Sequence, residues 1–230
     1  LTIIRGAGAR VWDENGREYL DCVSGHGVAN LGHCHPAVVT AMKKQAEQLI
    51  TCPEIFYNDQ RARLLSRLTS LAPGNMPRAF LCNSGTEAVE AALKFARITT
   101  GRTEVISALR SFHGRTMGAL TLTGQKKHRD PFEPLVPDII QIPYNRVENL
   151  DAALSERTAA VVLEVVQGEG GIRPATHNYL HTAQRLCHER GALLILDEVQ
   201  TGLGRTGKLF ACEHYNLEPD ILCLAKSMAG

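Results

Sequence analysis

Ala192-Leu193-Leu194-Ile195-Leu196-Asp197-Glu198-Val199-Gln200 is the stretch that sets the fold class. Five apolar residues run together without the alternation of a strand that has one wet face. Such a strand is buried on both sides, which is what a parallel sheet covered by helices requires. A helical pattern over residues 176–190 leads into it. Working outward, further apolar runs lie at residues 79–82, 104–109, 138–142, 159–166 and 221–224. Helical patterns at 86–99 and 147–155 fall between some of them. The expected class is α/β, a mostly parallel sheet with helices on both faces.

In front of this series stands a smaller segment. Short strands at 9–12 and 18–21 flank Asp13-Glu14-Asn15-Gly16, where Asn-Gly suits a tight hairpin because both residues tolerate positive φ. Helical patterns follow over 36–50, with Pro36 suited to the first turn, and over 61–71, stopped by Pro73-Gly74. The expected division is residues 1–52, part of a small domain, and residues 53–230, a large domain incomplete at its C-terminal end. The chain opens on Leu1 rather than Met and stops at Ala229-Gly230 without a closing element, so both ends read as cut.

Over 230 residues, 25 Lys plus Arg against 24 Asp plus Glu leave a net charge of +1, which offers no electrostatic reason to expect nucleic acid or an anionic membrane as partner. A hydrophobic content of 44% with 21% charged residues excludes intrinsic disorder. No apolar run approaches the ~18 residues that span a bilayer, and the start lacks a signal-peptide layout. Seven dispersed cysteines without a CxxC pair argue against a disulfide framework and for a reducing cytoplasm. His33-Cys34-His35 and Cys187-His188 lack a second ligand pair at zinc-site spacing, so no metal site is expected.

In sheets of this kind ligands bind beyond the carboxyl ends of the strands. Four polar clusters lie there. Asn83-Ser84-Gly85-Thr86-Glu87 opens a helix and can gather N–H groups and hydroxyls on an anion, or serve as a plain capping box. Asp197, after its apolar run, suits a cationic partner such as a protonated ring nitrogen, or caps the next turn. Lys226, after residues 221–224, is either a desolvated amine nucleophile or a lysine reaching water. Ser111-Phe112-His113-Gly114-Arg115-Thr116 offers an aromatic face, an imidazole and a guanidinium able to hold a carboxylate, or is a surface loop with a packed Phe. A fifth pattern, Gly202-Leu203-Gly204-Arg205-Thr206-Gly207, matches GxGxxG; its dinucleotide reading needs a helix opened by the last Gly, and the residues after it read as extended.

An anion cradle, an acid for a ring nitrogen, an aromatic face and a reactive lysine together suit pyridoxal 5'-phosphate (PLP). The motifs Ser84-Gly85-Thr86-Glu87-Ala88, Phe112-His113-Gly114-Arg115-Thr116, Gln167-Gly168-Glu169-Gly170-Gly171, Asp197-Glu198-Val199-Gln200-Thr201-Gly202 and Leu224-Ala225-Lys226 resemble, in order and over essentially the whole chain, the class III PLP-dependent aminotransferases. Within that class the similarity is greatest to the acetylornithine and ornithine aminotransferases and their carrier-protein lysine-pathway relatives. The resemblance implies the PLP-dependent transferase fold type I. It places Ser84, Gly85 and Thr86 at the cofactor phosphate and Phe112 and Val199 on the ring faces. Asp197 falls at the ring nitrogen, Gln200 at the phenolic oxygen, and Lys226 becomes the lysine that binds the cofactor and moves the proton. Arg115 would grip the substrate carboxylate, with Glu169 nearby. The implied reaction passes a terminal amino group from N-acetylornithine, or a related N-acylated ornithine or lysine donor, to 2-oxoglutarate in a cytoplasmic homodimer with shared active sites. A general ω-aminotransferase, or a catalytically incomplete fragment, is the alternative. Two departures stand out. Val165-Val166 follow Glu164 where many members carry Pro, and the family continues well past the lysine.

Overall fold

The computed structural model describes residues 1–228. The chain forms two units, Leu1–Ser70 with Lys226–Met228, and Leu71–Ala225.

The first unit opens on a three-stranded antiparallel sheet in the order β1 (Ile3–Ala7), β2 (Arg10–Asp13), β3 (Glu18–Leu20). The expected hairpin is β2–β3. Its turn is organised by Asp13, whose Oδ1 accepts the N–H groups of Asn15 and Arg17 at 3.0 and 2.9 Å, while Gly16 takes a φ of 77°. Strand β1 had no expectation attached to it. Helix α1 (Pro36–Ala46) starts at its proline but stops short of residue 50. Helix α2 (Asp59–Leu71) follows. The boundary at Ser70 lies beyond the 52/53 division read from the sequence. The guanidinium of Arg61, in the first turn of α2, donates to the carbonyls of Cys52 and Phe56, which ties α2 to the preceding segment.

The second unit is built on a five-stranded sheet, every pair parallel. Its strands are β4 (Glu104–Ala108), β5 (Ile139–Ile142), β6 (Thr158–Leu163), β7 (Leu193–Asp197) and β8 (Ile221–Cys223), in the order β8-β7-β6-β4-β5. Successive residues of the central strands feed opposite faces. Val161, Leu163, Leu194 and Leu196 pack with Leu150 of α5 (Val147–Ala153) and with Tyr179, Leu180 and Ala183 of α6 (His177–Arg190). Ala160, Val162 and Ile195 pack with Val89, Ala92, Leu93 and Ala96 of α3 (Gly85–Thr100) and with Ala119 and Leu122 of α4 (Met117–Leu122). Both faces are dry, which is why these strands read as unbroken apolar runs.

One expected strand is corrected. Residues 79–82 join no sheet; Phe80 instead sets its ring edge-on against Phe95 of α3, with centroids 5.4 Å apart. Phe80 stays 67% exposed and Leu81 43% exposed, so the apolar run is not buried between helices as a sheet strand would be. Helix α4, conversely, was not expected, since six residues are too few to show a helical period.

The strand order contains one reversal. The chain leaves β4 toward β5, then returns past β4 to reach β6 and continues to β7 and β8. The loops after β4 and β6 therefore diverge, and the crevice at their carboxyl ends is where such sheets take ligands.

Candidate active site

At the sheet's carboxyl edge Asp197 ends β7 and is 4% exposed. Its Oδ2 lies 2.8 Å from Nδ1 of His113, from the loop after β4, and its Oδ1 accepts the N–H of Val199 at 3.0 Å. His113 is itself buried, and its Nε2 has no hydrogen-bond partner among the described residues. Burial opposes charge on this imidazole, but the hydrogen bond and charge of Asp197, with the charge of Glu164, outweigh it and raise the pKa above the ordinary value. Glu164, the residue after β6, is also buried, and its Oε2 accepts the N–H of Phe112 at 3.2 Å. Burial first, and then the charge of Asp197, push its carboxyl up to about 7, against the opposing pull of His113 and of the Phe112 and Gly168 N–H groups. Three titratable groups thus meet at the ends of three neighbouring strands.

Helix α3 brings its N-terminus to the same edge. Ser84 is the N-cap, and its Oγ accepts the N–H of Glu87 at 3.3 Å, while the Glu87 carboxylate reaches back to the N–H of Asn83 at 2.6 Å. The capping reading of this motif is therefore realised, displaced by one residue at its return leg. Capping occupies Ser84, yet the N–H groups of Gly85 and Thr86 have no carbonyl one turn earlier to bond. A Cβ on Gly85 would stand 2.8 Å from Cγ1 of Val199 and 3.2 Å from Cβ of Ala225, so only glycine lets the helix tip approach the ends of β7 and β8 this closely. Thr86 Oγ1 lies 2.7 Å from Thr116 Oγ1.

The other expected residues fall as follows. Gln200 is half-buried, and a Cβ on Gly168 would meet its amide at 3.1 Å, so its side chain lies over the loop after β6. Phe112 is half-buried and meets the edge of His128 at 6.0 Å. Arg115 and Glu169 are exposed, and no described hydrogen bond or ion pair joins either to Asp197 or to the α3 tip. Lys226 belongs to the first unit, in a 3-10 turn (Lys226–Met228) with φ of 26°, and follows Ala225 directly in the chain. Gly202–Gly207 runs through turns and opens no helix, which removes the context a dinucleotide fingerprint needs. Among the described residues no group of three or more potential ligands could hold a metal ion, and all seven cysteines are free.

Two buried acids were not singled out from the sequence, and the His113 imidazole was noted there without a role. Glu164 follows an apolar strand just as Asp197 does, a signal that could have been used. Glu198, beside Asp197, accepts the N–H groups of Ala211 and Cys212 at 2.6 and 2.8 Å and so holds the turn after the glycine-rich segment.

The sequence pattern of the class-III aminotransferases matches residues 1–230. The chain is 52% identical to the [LysW]-aminoadipate semialdehyde transaminase of Deinococcus radiodurans, with all of this chain and 54% of that protein covered. It is 50% identical to the acetylornithine aminotransferase of Methanopyrus kandleri, covering all of this chain and 59% of that one. The chain thus spans little more than half the length of these relatives. The ornithine aminotransferase of Toxoplasma gondii superposes with a TM-score of 0.90 at 38% identity, over 98% of this chain and 55% of its own. A second structure of that enzyme has PLP at partial occupancy in its active site. A parallel sheet closed on both faces, a helix tip and a buried aspartate at its carboxyl edge, and motifs matched from end to end place the chain in the class-III aminotransferase family.

Proposed function

We propose that the protein is a PLP-dependent aminotransferase acting on the terminal amino group of N-acetylornithine or a related N-acylated ornithine or lysine donor, with 2-oxoglutarate as acceptor. The observation that carries this reading is the buried Asp197–His113 pair at the end of β7, two residues from the valine on which the α3 tip rests.

The residues fit the cofactor in two respects. The free N–H groups at Gly85 and Thr86 form an anion site of the kind helix N-termini provide, kept open by the absence of a Cβ at Gly85. Asp197, held by His113, offers a fixed carboxylate to a protonated ring nitrogen. PLP supplies an electron sink when its ring nitrogen stays protonated. Gly85 and Thr86 bind its phosphate, Ser84 shapes the turn, Phe112 and Val199 flank the ring, and Gln200 donates to the phenolic oxygen. Lys226 Nζ provides the covalent hold and moves the proton. Arg115 takes the donor carboxylate, and Glu169 lies beside it. Residues 1–52 serve as part of a small domain and residues 53–230 as the large PLP-binding domain. The names of the two relatives above support the choice of donor.

A homodimer is the proposed assembly, supported by the exposed apolar side chains of Ile50, Ile55, Phe56 and Tyr57 in the first unit. A cytoplasmic setting is supported by the free thiols. No helix among the described residues is long and apolar enough to cross a membrane.

Borohydride reduction of the PLP-loaded protein followed by peptide mass mapping tests the assignment. The label is expected on Lys226; a label on Lys94 or Lys208 overturns it.

A further inference from the structure

Helix α4 begins without its own cap. Thr116 stands at the N-cap position with extended backbone, where a threonine ordinarily turns its hydroxyl back on the first free N–H groups, yet its side chain makes no such bond. Its hydroxyl goes to Thr86 Oγ1 at 2.7 Å instead, and its N–H to the same atom at 3.4 Å. The N–H groups left behind, of Gly118 and Ala119, are taken by Oε1 of Glu90 at 2.8 and 3.1 Å. Thr86 and Glu90 are four residues apart on α3, hence on one face. The helix that carries the anion site therefore grips the loop carrying Phe112 and Arg115 at two points, one turn apart. Glycines make the fit: a Cβ on Gly114 would stand 2.2 Å from Thr86 Oγ1, and one on Gly118 2.3 Å from Glu90 Oε2.

We propose that Glu90, with the Thr86–Thr116 hydroxyl pair, is a positioning device that fixes Arg115 relative to the cofactor's phosphate site and so sets the enzyme's grip on carboxylate-bearing donors. This rests on Arg115 being the carboxylate grip. Glu90 touches neither substrate nor cofactor; it acts through the start of α4, one residue beyond Thr116. Arg115 is exposed and is in no ion pair among the described residues, so its backbone anchorage sets the point from which the guanidinium is presented. Loosening that anchorage costs binding of the donor carboxylate and leaves the reacting amine, and cofactor affinity, alone.

The test uses the PLP-loaded full-length gene product with two donors, N-acetylornithine and the carboxylate-free putrescine. Glu90→Ala is expected to raise KM for N-acetylornithine about ten-fold with kcat within about two-fold, and to leave putrescine kinetics and the PLP dissociation constant unchanged. Glu90→Gln, which keeps an acceptor oxygen, restores the KM. Gly118→Ala keeps Glu90 but displaces its flexible carboxylate, and reproduces the effect should the alanine variant fold poorly. Equal changes for both donors, or a fall in melting temperature with no change in KM, overturn the proposal. Arg115→Lys is the control that separates the two ideas. If it alters N-acetylornithine KM while the Glu90 and Gly118 variants do not, the positioning device is wrong and the Arg115 assignment stands. If it alters nothing, the Arg115 assignment itself is wrong.

Discussion

His113 Nδ1 and Asp197 Oδ2 stand 2.8 Å apart with both side chains almost wholly enclosed, although 84 residues separate them in the chain. The hydrogen bond and charge of Asp197 raise the pKa of this imidazole against the opposing effect of burial. Removing the imidazole leaves a buried carboxylate whose other hydrogen bond among the described residues is to the Val199 N–H. His113→Leu is therefore expected to cost about 3 kcal/mol in stability, the scale for breaking a buried pair from one side. Urea unfolding of wild type and variant checks it, and a loss under about 1 kcal/mol would show that the pair does not hold the carboxylate.

Glu164 gives a pH dependence of definite sign. Its carboxyl rises from 4.5 to about 7 on folding, chiefly through burial, so between those values the folded protein holds a proton that the unfolded chain has released. Stability contributed by this group is complete below pH 4.5 and falls as pH rises toward 7. At about 1.4 kcal/mol per pH unit the fall is roughly 3 kcal/mol. His113, raised as well, pushes the same way as pH passes its own value. Glu164→Gln keeps an acceptor for the Phe112 N–H and removes the titration. The variant should lose markedly less stability than wild type between pH 5 and pH 8 in urea melts; parallel profiles would mean that Glu164 is ionised throughout.

What the sequence made legible follows from where each signal originates. β6 and β7 were readable because both of their faces are buried, so every residue from Ala159 to Leu163 and from Leu194 to Leu196 had to be apolar. Asp197 was readable because a carboxylate ending such a run interrupts it. Ser84-Gly85-Thr86 was readable as a helix start, and that signal alone could not separate a cap from an anion site; the structure shows the cap, with Ser84 Oγ accepting the N–H of Glu87. The partnerships of Glu164 with Phe112 and of Glu90 with Gly118 span 52 and 28 residues and leave no local trace. Residues 79–82 misled for the opposite reason: a short apolar run is not by itself a buried strand, and here Phe80 and Leu81 stay exposed, with Phe80 meeting only the edge of Phe95.

Gly85 makes a prediction about shape rather than charge. An alanine there needs room now filled by both Cγ atoms of Val199, at 2.8 and 3.0 Å, and by Cβ of Ala225 at 3.2 Å. A branched side chain beside a strand end gives way poorly, so Gly85→Ala should cost about 1–3 kcal/mol, the usual scale of overpacking. Val199→Ala should relieve most of that cost in the double variant, a non-additivity that a thermodynamic cycle reads directly. If the costs of the two single changes simply add, the helix tip does not rest on Val199.

Arg115 bears on which amino donors are preferred. Arg115 follows Phe112 by three residues, so one loop carries an aromatic face and a guanidinium. N-Acetylornithine and glutamate both carry a carboxylate that a fork-shaped donor can take through two parallel bonds, and putrescine has none. Arg115 is exposed, so solvent screens the contact, and the upper range for charge-assisted bonds must be discounted to about 1–1.5 kcal/mol. At tenfold per ~1.4 kcal/mol, carboxylate-bearing donors should exceed putrescine by about ten-fold in kcat/KM. Arg115→Lys should erase most of that margin, because an ammonium keeps the charge without the paired geometry. The assay ranks N-acetylornithine, ornithine, 4-aminobutyrate and putrescine as donors to 2-oxoglutarate on both proteins. Putrescine as the best wild-type donor would point to a general ω-aminotransferase. Were the ranking unchanged in Arg115→Lys, the carboxylate would have to be held by some other cation.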